Sequence, residues 1–203
     1  MTIGWQMFLP AVLLLWFPTS AMLSKKVQLR AWETFQSLHS STSPRPWWWV
    51  PALWIDPVRA AVGVFLLRES LSLNDDYLQL VTEGPYAVML GVLLVGVILQ
   101  LWSAREEGVM LAPMGFVAGV IGVMVPWPVA VGGLVLAITG VFAFRNFASF
   151  FIGGLLGVGV LGGLLRMEIY WLLPAMGVIA IPLVANLVTG RTMEIPARDP
   201  TEV

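Results

Sequence analysis

The chain has 203 residues, 58% of them apolar and 11% charged, with a net charge of −1 and a mean hydropathy of +0.85. A soluble domain carries about 25% charged residues, so this chain cannot clothe a water-facing surface, and its near-zero charge excludes nucleic-acid binding driven by global charge. With no cysteine and one histidine, His39, it holds no disulfide, thiolate metal site, iron–sulfur cluster, bis-histidine haem or multi-histidine metal site of its own.

Residues 3–23 are the first apolar stretch. No positive charge precedes it and Thr19-Ser20-Ala21 is a poor cleavage site, so it reads as a membrane helix with a bend at Pro10 rather than a signal peptide. If it only lies on the membrane, one span is lost. Residues 24–46 are the longest polar stretch. The spacing of Val27, Leu29, Trp32, Phe35 and Leu38 suggests an amphipathic helix, and the Ser- and Pro-rich second half suggests a loop. Trp47, Trp48 and Trp49 follow, the residue type that anchors at lipid headgroups. Residues 50–71 carry Asp56, Pro57 and Arg59. Asp-Pro is a good N-cap and first helical position, so the expectation is a broken span with a helix capped by Asp56 and beginning at Pro57. The alternative, one full span, puts Asp56 and Arg59 on one face near mid-membrane, at about 2.5–3.5 kcal/mol for each charge.

After an acidic loop, residues 72–84, come five apolar runs: 85–104, 109–125, 128–144, 147–165 and 169–188. Each is close to the roughly 20 residues that cross a ~30 Å bilayer core. The breaks between them hold Arg105, Pro126-Trp127-Pro128, Arg145-Asn146 and Arg166, and Trp102, Trp127 and Trp171 sit at their borders as interface anchors. The expected fold is therefore an all-α integral membrane protein, a bundle of six or seven transmembrane helices forming one polytopic domain with a polar tail from 189 to 203. If every run spans, Lys25, Lys26, Arg30, Arg45, Arg105, Arg145, Arg191 and Arg198 fall on one side and only Arg68 and Arg166 on the other. The positive-inside rule makes the first side cytoplasmic, with the N-terminus out and the C-terminus in, as in a bacterial inner membrane protein.

The last four runs are glycine-rich. Gly115 and Gly119, Gly153 and Gly157, and Gly159 and Gly163 are GxxxG pairs that let helices approach closely. The pair at 153 and 157 lies on the opposite side of its helix from the pair at 159 and 163, so this helix is expected to be approached on two sides. The weak likeness of 109–144 to 147–188 is read as shared composition rather than a repeat.

No catalytic constellation is visible, so the chain reads as not an enzyme. His39 lies in a Ser-rich loop, and Asn74-Asp75-Asp76, which could ligate a cation, reads as a solvated acidic turn. The polar residues within apolar runs are Asp56, Arg59, Gln100, Asn146 and Asn186. A proton path needs carboxylates in several spans, and only Asp56 qualifies. The expected role is a non-catalytic scaffold or lateral-contact subunit of a larger membrane complex, with lipids and other membrane subunits as partners and no nucleic acid. No cofactor is implied, although the apolar grooves would suit lipid, quinone or pigment. The alternative is a small transporter or channel with its substrate path at the Asp56–Arg59 break. A membrane enzyme ranks third.

Overall fold

The computed structural model describes residues 3–22, 27–30, 32, 51–71, 84–103 and 108–198. Helix α1 (Trp5–Trp16) is followed by the single turn α2 (Thr19–Met22), strand β1 (Val27–Arg30), and helices α3 (Pro51–Ser70) and α4 (Pro85–Trp102). Strand β2 (Val109–Leu111), helices α5 (Met114–Met124), α6 (Trp127–Phe144), α7 (Ala148–Leu164) and α8 (Ile169–Thr189), and strand β3 (Thr192–Arg198) complete the order. The chain is mostly helical. Helices α4, α6 and α8 are long and apolar enough to cross a membrane, and α1, α5 and α7 are apolar but shorter.

Helix ends follow the sequence punctuation. Proline stands in the first turn of α4 and α6, where its missing N–H removes no helix bond. Gly190 ends α8 in the left-handed conformation, and the tight turns after α6 and α7 force Arg145 and Arg166 into the same region (φ 52° and 50°).

Three expectations are corrected. Helix α3 is continuous from Pro51 to Ser70, so Asp56 is an interior residue and not the cap of a helix starting at Pro57. The cost falls on Leu53, whose carbonyl finds no helical donor at Pro57. The run 109–125 is not one helix: Val109–Leu111 is a strand, and α5 has 11 residues, about 17 Å of rise. A small sheet joins segments expected to be helix, span and polar tail. Its order is β1-β3-β2. Residues Thr192 to Glu194 pair in parallel with β2, and Ile195 to Arg198 pair antiparallel with β1. Met193 and Ile195 turn one face of β3 to the core while Thr192 is exposed, and Pro196 is buried as well. Pro196 is tolerated because it lies in the half of β3 that pairs with β1 alone.

The sheet fixes one end of the bundle. Trp32 also lies there, with its ring edge-on to Phe142 and Phe147. The other end is tied by Gly4 N–H donating to the Ser70 carbonyl at 2.8 Å and by the Tyr86 hydroxyl donating to the Tyr170 carbonyl. Arg68 lies 5.0 Å over the Trp171 ring there. Successive helices therefore run alternately between the two ends. The core between them holds Leu15, Leu67, Met89, Leu93, Phe116 and Phe151. The outer faces of α6, α7 and α8 leave Val135, Leu156 and Leu187 exposed.

Candidate functional site

The polar centre of the molecule is built around a break in the first apolar stretch. Pro18 has no N–H, so the Leu14 carbonyl loses its helical donor. Beyond the break, Thr19 N–H donates to Gln100 Oε1 at 2.8 Å instead of to the Leu15 carbonyl. Two side chains from neighbouring helices replace what is missing. Arg59 Nη1, from α3, donates to the Leu14 carbonyl at 2.9 Å and also to the Phe17 carbonyl. Gln100 Nε2, from α4, donates to the Leu15 carbonyl at 3.3 Å and to the Phe17 carbonyl at 3.0 Å. The Gln100 amide is thus inserted into the interrupted ladder, accepting from Thr19 and donating to Leu15.

Asp56 completes the cluster. Its Oδ1 accepts from Arg59 Nη2 at 2.5 Å and lies 2.9 Å from the Thr19 hydroxyl. That hydroxyl is also 2.8 Å from Gln100 Oε1, so its one proton serves two acceptors. Asp56 and Arg59 are each 5% exposed, Thr19 3% and Gln100 0%. Arg59 also lies 5.7 Å over the Phe116 ring, and its Nε is buried without a hydrogen-bond partner.

Magnitudes show why two charges sit here. The Leu15 carbonyl is buried and those of Leu14 and Phe17 are part-buried, and leaving them without donors costs at most about 1–3 kcal/mol each. Burying one carboxylate and one guanidinium within protein costs several kcal/mol each before they pair. The Arg59–Asp56 pairing offsets part of that cost, and the carbonyls that Arg59 satisfies offset more. The sequence pattern singled out Asp56, Arg59 and Gln100, and the fold brings all three together. Thr19 enters the sequence reading only as part of a poor cleavage site; the signal that could have found it is the Pro18-Thr19 step inside an apolar run.

The glycines divide by what they face. A Cβ on Gly119 would lie 2.1 Å from the Pro57 carbonyl oxygen, and one on Gly115 would lie 3.0 Å from the Pro57 ring. On α7, a Cβ at Gly153 would meet the Leu136 carbonyl oxygen at 2.4 Å, and one at Gly157 the Gly133 Cα at 2.8 Å, both on α6. Gly159 faces the flexible end of Met176 at 3.3 Å. Gly163 is a correction, because nothing lies within 4 Å of its Cβ position; Gly162, one residue earlier, faces Leu172 on α8 at 2.5 Å.

Of the expected tryptophan anchors, Trp102 and Trp127 are exposed at helix ends. Trp171 is corrected: it is buried and faces Arg68 and Tyr86 rather than the outer surface. Trp47, Trp48, Trp49, His39, Asn74 to Asp76 and most of the expected amphipathic segment lie outside the described residues. An apolar cavity of about 280 Å³ opens between α5, α6, α7 and α8, lined by Ile121, Gly122, Leu134, Phe150, Val158 and other apolar residues. Asp56 lines neither this cavity nor the polar one described below.

Comparison with protein-family models, with curated proteins and with solved structures finds no match to this chain.

Proposed function

We propose that this chain is an integral membrane protein that crosses the bilayer seven times and serves as a non-catalytic scaffold or lateral-contact subunit of a larger membrane assembly. Its N-terminus is outside and its C-terminus cytoplasmic, as in a bacterial inner membrane protein. The alternation of helices between the two ends supports the crossing count, and the sheet brings β1, β2 and β3 to the end that carries Arg145 and Arg191, the side expected to be cytoplasmic. Close approach at Gly119, Gly153 and Gly157 is how a bundle without a hydrophobic force between its helices would associate.

One observation carries the scaffold reading: apart from Arg59 Nε, the polar atoms of the charged pair that form bonds are bonded within the protein. Arg59 and Gln100 complete the broken α1–α2 ladder, and Asp56 neutralises Arg59. Helix glycines with nothing against them support lateral contact. Gly91, Gly122, Gly163 and Gly177 face open space, where alanine would hold a helix about 0.5–1 kcal/mol better, and a partner helix would give them a use. Residues Thr192 to Arg198 of the expected polar tail give no such support, because strand β3 ties them to this chain.

A small transporter is the second reading. The buried Arg59 Nε without a partner, beside a helix break, favours it. Purification in mild detergent with mass spectrometry of co-purifying chains tests the first reading: a stoichiometric membrane partner supports it, and a pure monodisperse chain from native membranes sinks it.

A further inference from the structure

The sheet end holds a second polar site, separate from the Asp56 cluster. A cavity of about 550 Å³ opens between the turn after α6 and the end of α8, with Arg145, Asn146, Asn186, Arg191, Phe144 and Leu187 among its lining. Its size falls within the roughly 300–1,000 Å³ of small-molecule sites. Two helix ends converge to build it. Arg145 follows α6 in the left-handed conformation, and Arg191 follows the left-handed Gly190 that ends α8. Asn186 Nδ2 donates to the Arg191 carbonyl at 2.6 Å and fixes that turn. Asn146 Oδ1 accepts from Ala148 N–H at 2.9 Å, which leaves its NH₂ group as a donor.

Charge and rim define the ligand. Both arginines are exposed, and among the described residues neither side chain has an ion pair or a hydrogen bond. Among the described residues, no carboxylate lines the cavity. Two arginines line one opening, and a guanidinium group is the side chain suited to phosphate, which it can grip through two N–H donors. The rim is apolar: Phe144 is 73% exposed and Leu187 81%, on the outer faces of α6 and α8. An inorganic or soluble anion gains nothing from such a rim, whereas an amphipathic anion gains from both halves.

We propose that this cavity binds the phosphate headgroup of an anionic membrane phospholipid, with Arg145 and Arg191 on the phosphate and the acyl chains along Phe144 and Leu187. The proposal rests on the membrane reading above, which places this end at the cytoplasmic leaflet, where anionic lipids gather basic residues.

The test uses the full chain in an uncharged mild detergent. Native mass spectrometry measures retention of dioleoylphosphatidylglycerol against dioleoylphosphatidylcholine for the parent, R145Q/R191Q, R145K/R191K and R166Q. Gln meets the same left-handed backbone that Arg145 already adopts, and Arg166 is an exposed, left-handed arginine at the opposite end of the bundle. The parent and R166Q should prefer phosphatidylglycerol at least tenfold, R145Q/R191Q should lose that preference, and R145K/R191K should keep part of it. No preference in the parent, or an undiminished one in R145Q/R191Q, overturns the proposal; if R145Q/R191Q is misfolded, a full preference in R145K/R191Q and R145Q/R191K does so. Inorganic phosphate at matched ionic strength should not displace the lipid, and displacement would assign the site to a soluble phosphate and overturn the lipid source. Alkaline extraction of cell membranes checks the underlying reading separately, since release of the chain would sink the membrane assignment whatever the arginines do.

Discussion

The closest backbone approach at a glycine yields a prediction with its own internal control. In Gly119→Ala the new Cβ would sit 2.1 Å from the Pro57 oxygen and 2.9 Å from the Pro57 carbonyl carbon and Cα. Ordinary contact begins near 3.4 Å, so α3 and α5 must separate by about 1.3 Å. The obstacle is backbone and cannot rotate away. It also lies beside Asp56, so a shift of α3 disturbs the cluster with Thr19 and Gln100. Overpacking of this kind costs about 1–3 kcal/mol. Gly163→Ala, also within a helix, meets nothing within 4 Å. Gly119 is mid-helix and Gly163 lies in the last turn of α7, so alanine gains at least as much helix propensity at 119, at most about 0.5–1 kcal/mol, and the difference is a lower bound on the cost of the contact. At about 2–4 °C per kcal/mol for a chain of this size, Gly119→Ala should melt about 2–12 °C below Gly163→Ala in the same detergent. Gly163→Ala itself should match or exceed the parent. Thermal unfolding followed by tryptophan fluorescence reads both, and coincident melting curves would refute the close α3–α5 approach.

Further outcomes follow from the polar cluster and the alternation of the helices. Arg59→Met removes the partner of a buried carboxylate and should cost about 3–5 kcal/mol; Asp56→Leu/Arg59→Met should recover part of that, and a double variant less stable than Arg59→Met would show that the pair is not coupled. Gln100→Leu leaves the Leu15 carbonyl and Thr19 N–H without their partner and should lose about 2–6 kcal/mol at about 1–3 per group; parental stability by the same melting assay would mean that the ladder closes without it. The chain has no cysteine, so single cysteines report topology directly: Glu168→Cys should react with an impermeant thiol reagent on intact cells while Asn146→Cys is shielded. Equal labelling at both positions would overturn the seven-crossing arrangement. Asp56→Asn separates the two functional readings, because a scaffold should lose assembly yield or stability, whereas a transporter should keep both and lose activity.

Much of the helical layout was legible in one dimension. Long apolar runs bounded by Pro126, Arg145 and Arg166 placed α6, α7 and α8, because apolar length and helix-breaking residues are local properties. The rarity of polar residues in those runs also singled out Asp56, Arg59 and Gln100. What the sequence could not decide was which local preference would yield. Asp56-Pro57 is a good helix start by itself, yet α3 passes through it, because Arg59 and Thr19 give the carboxylate a buried partner set that a cap would forgo. Val27–Arg30 and Thr192–Arg198 alternate weakly enough to pass for an amphipathic turn and a loose tail. They become strands only when distant segments supply hydrogen bonds, more than 160 positions away between β1 and β3 and 83 positions away between β2 and β3. The glycines show the same limit: composition marks α7 as a helix that others can approach, but whether Gly162 or Gly163 meets α8 depends on helix rotation, which only packing against Leu172 fixes.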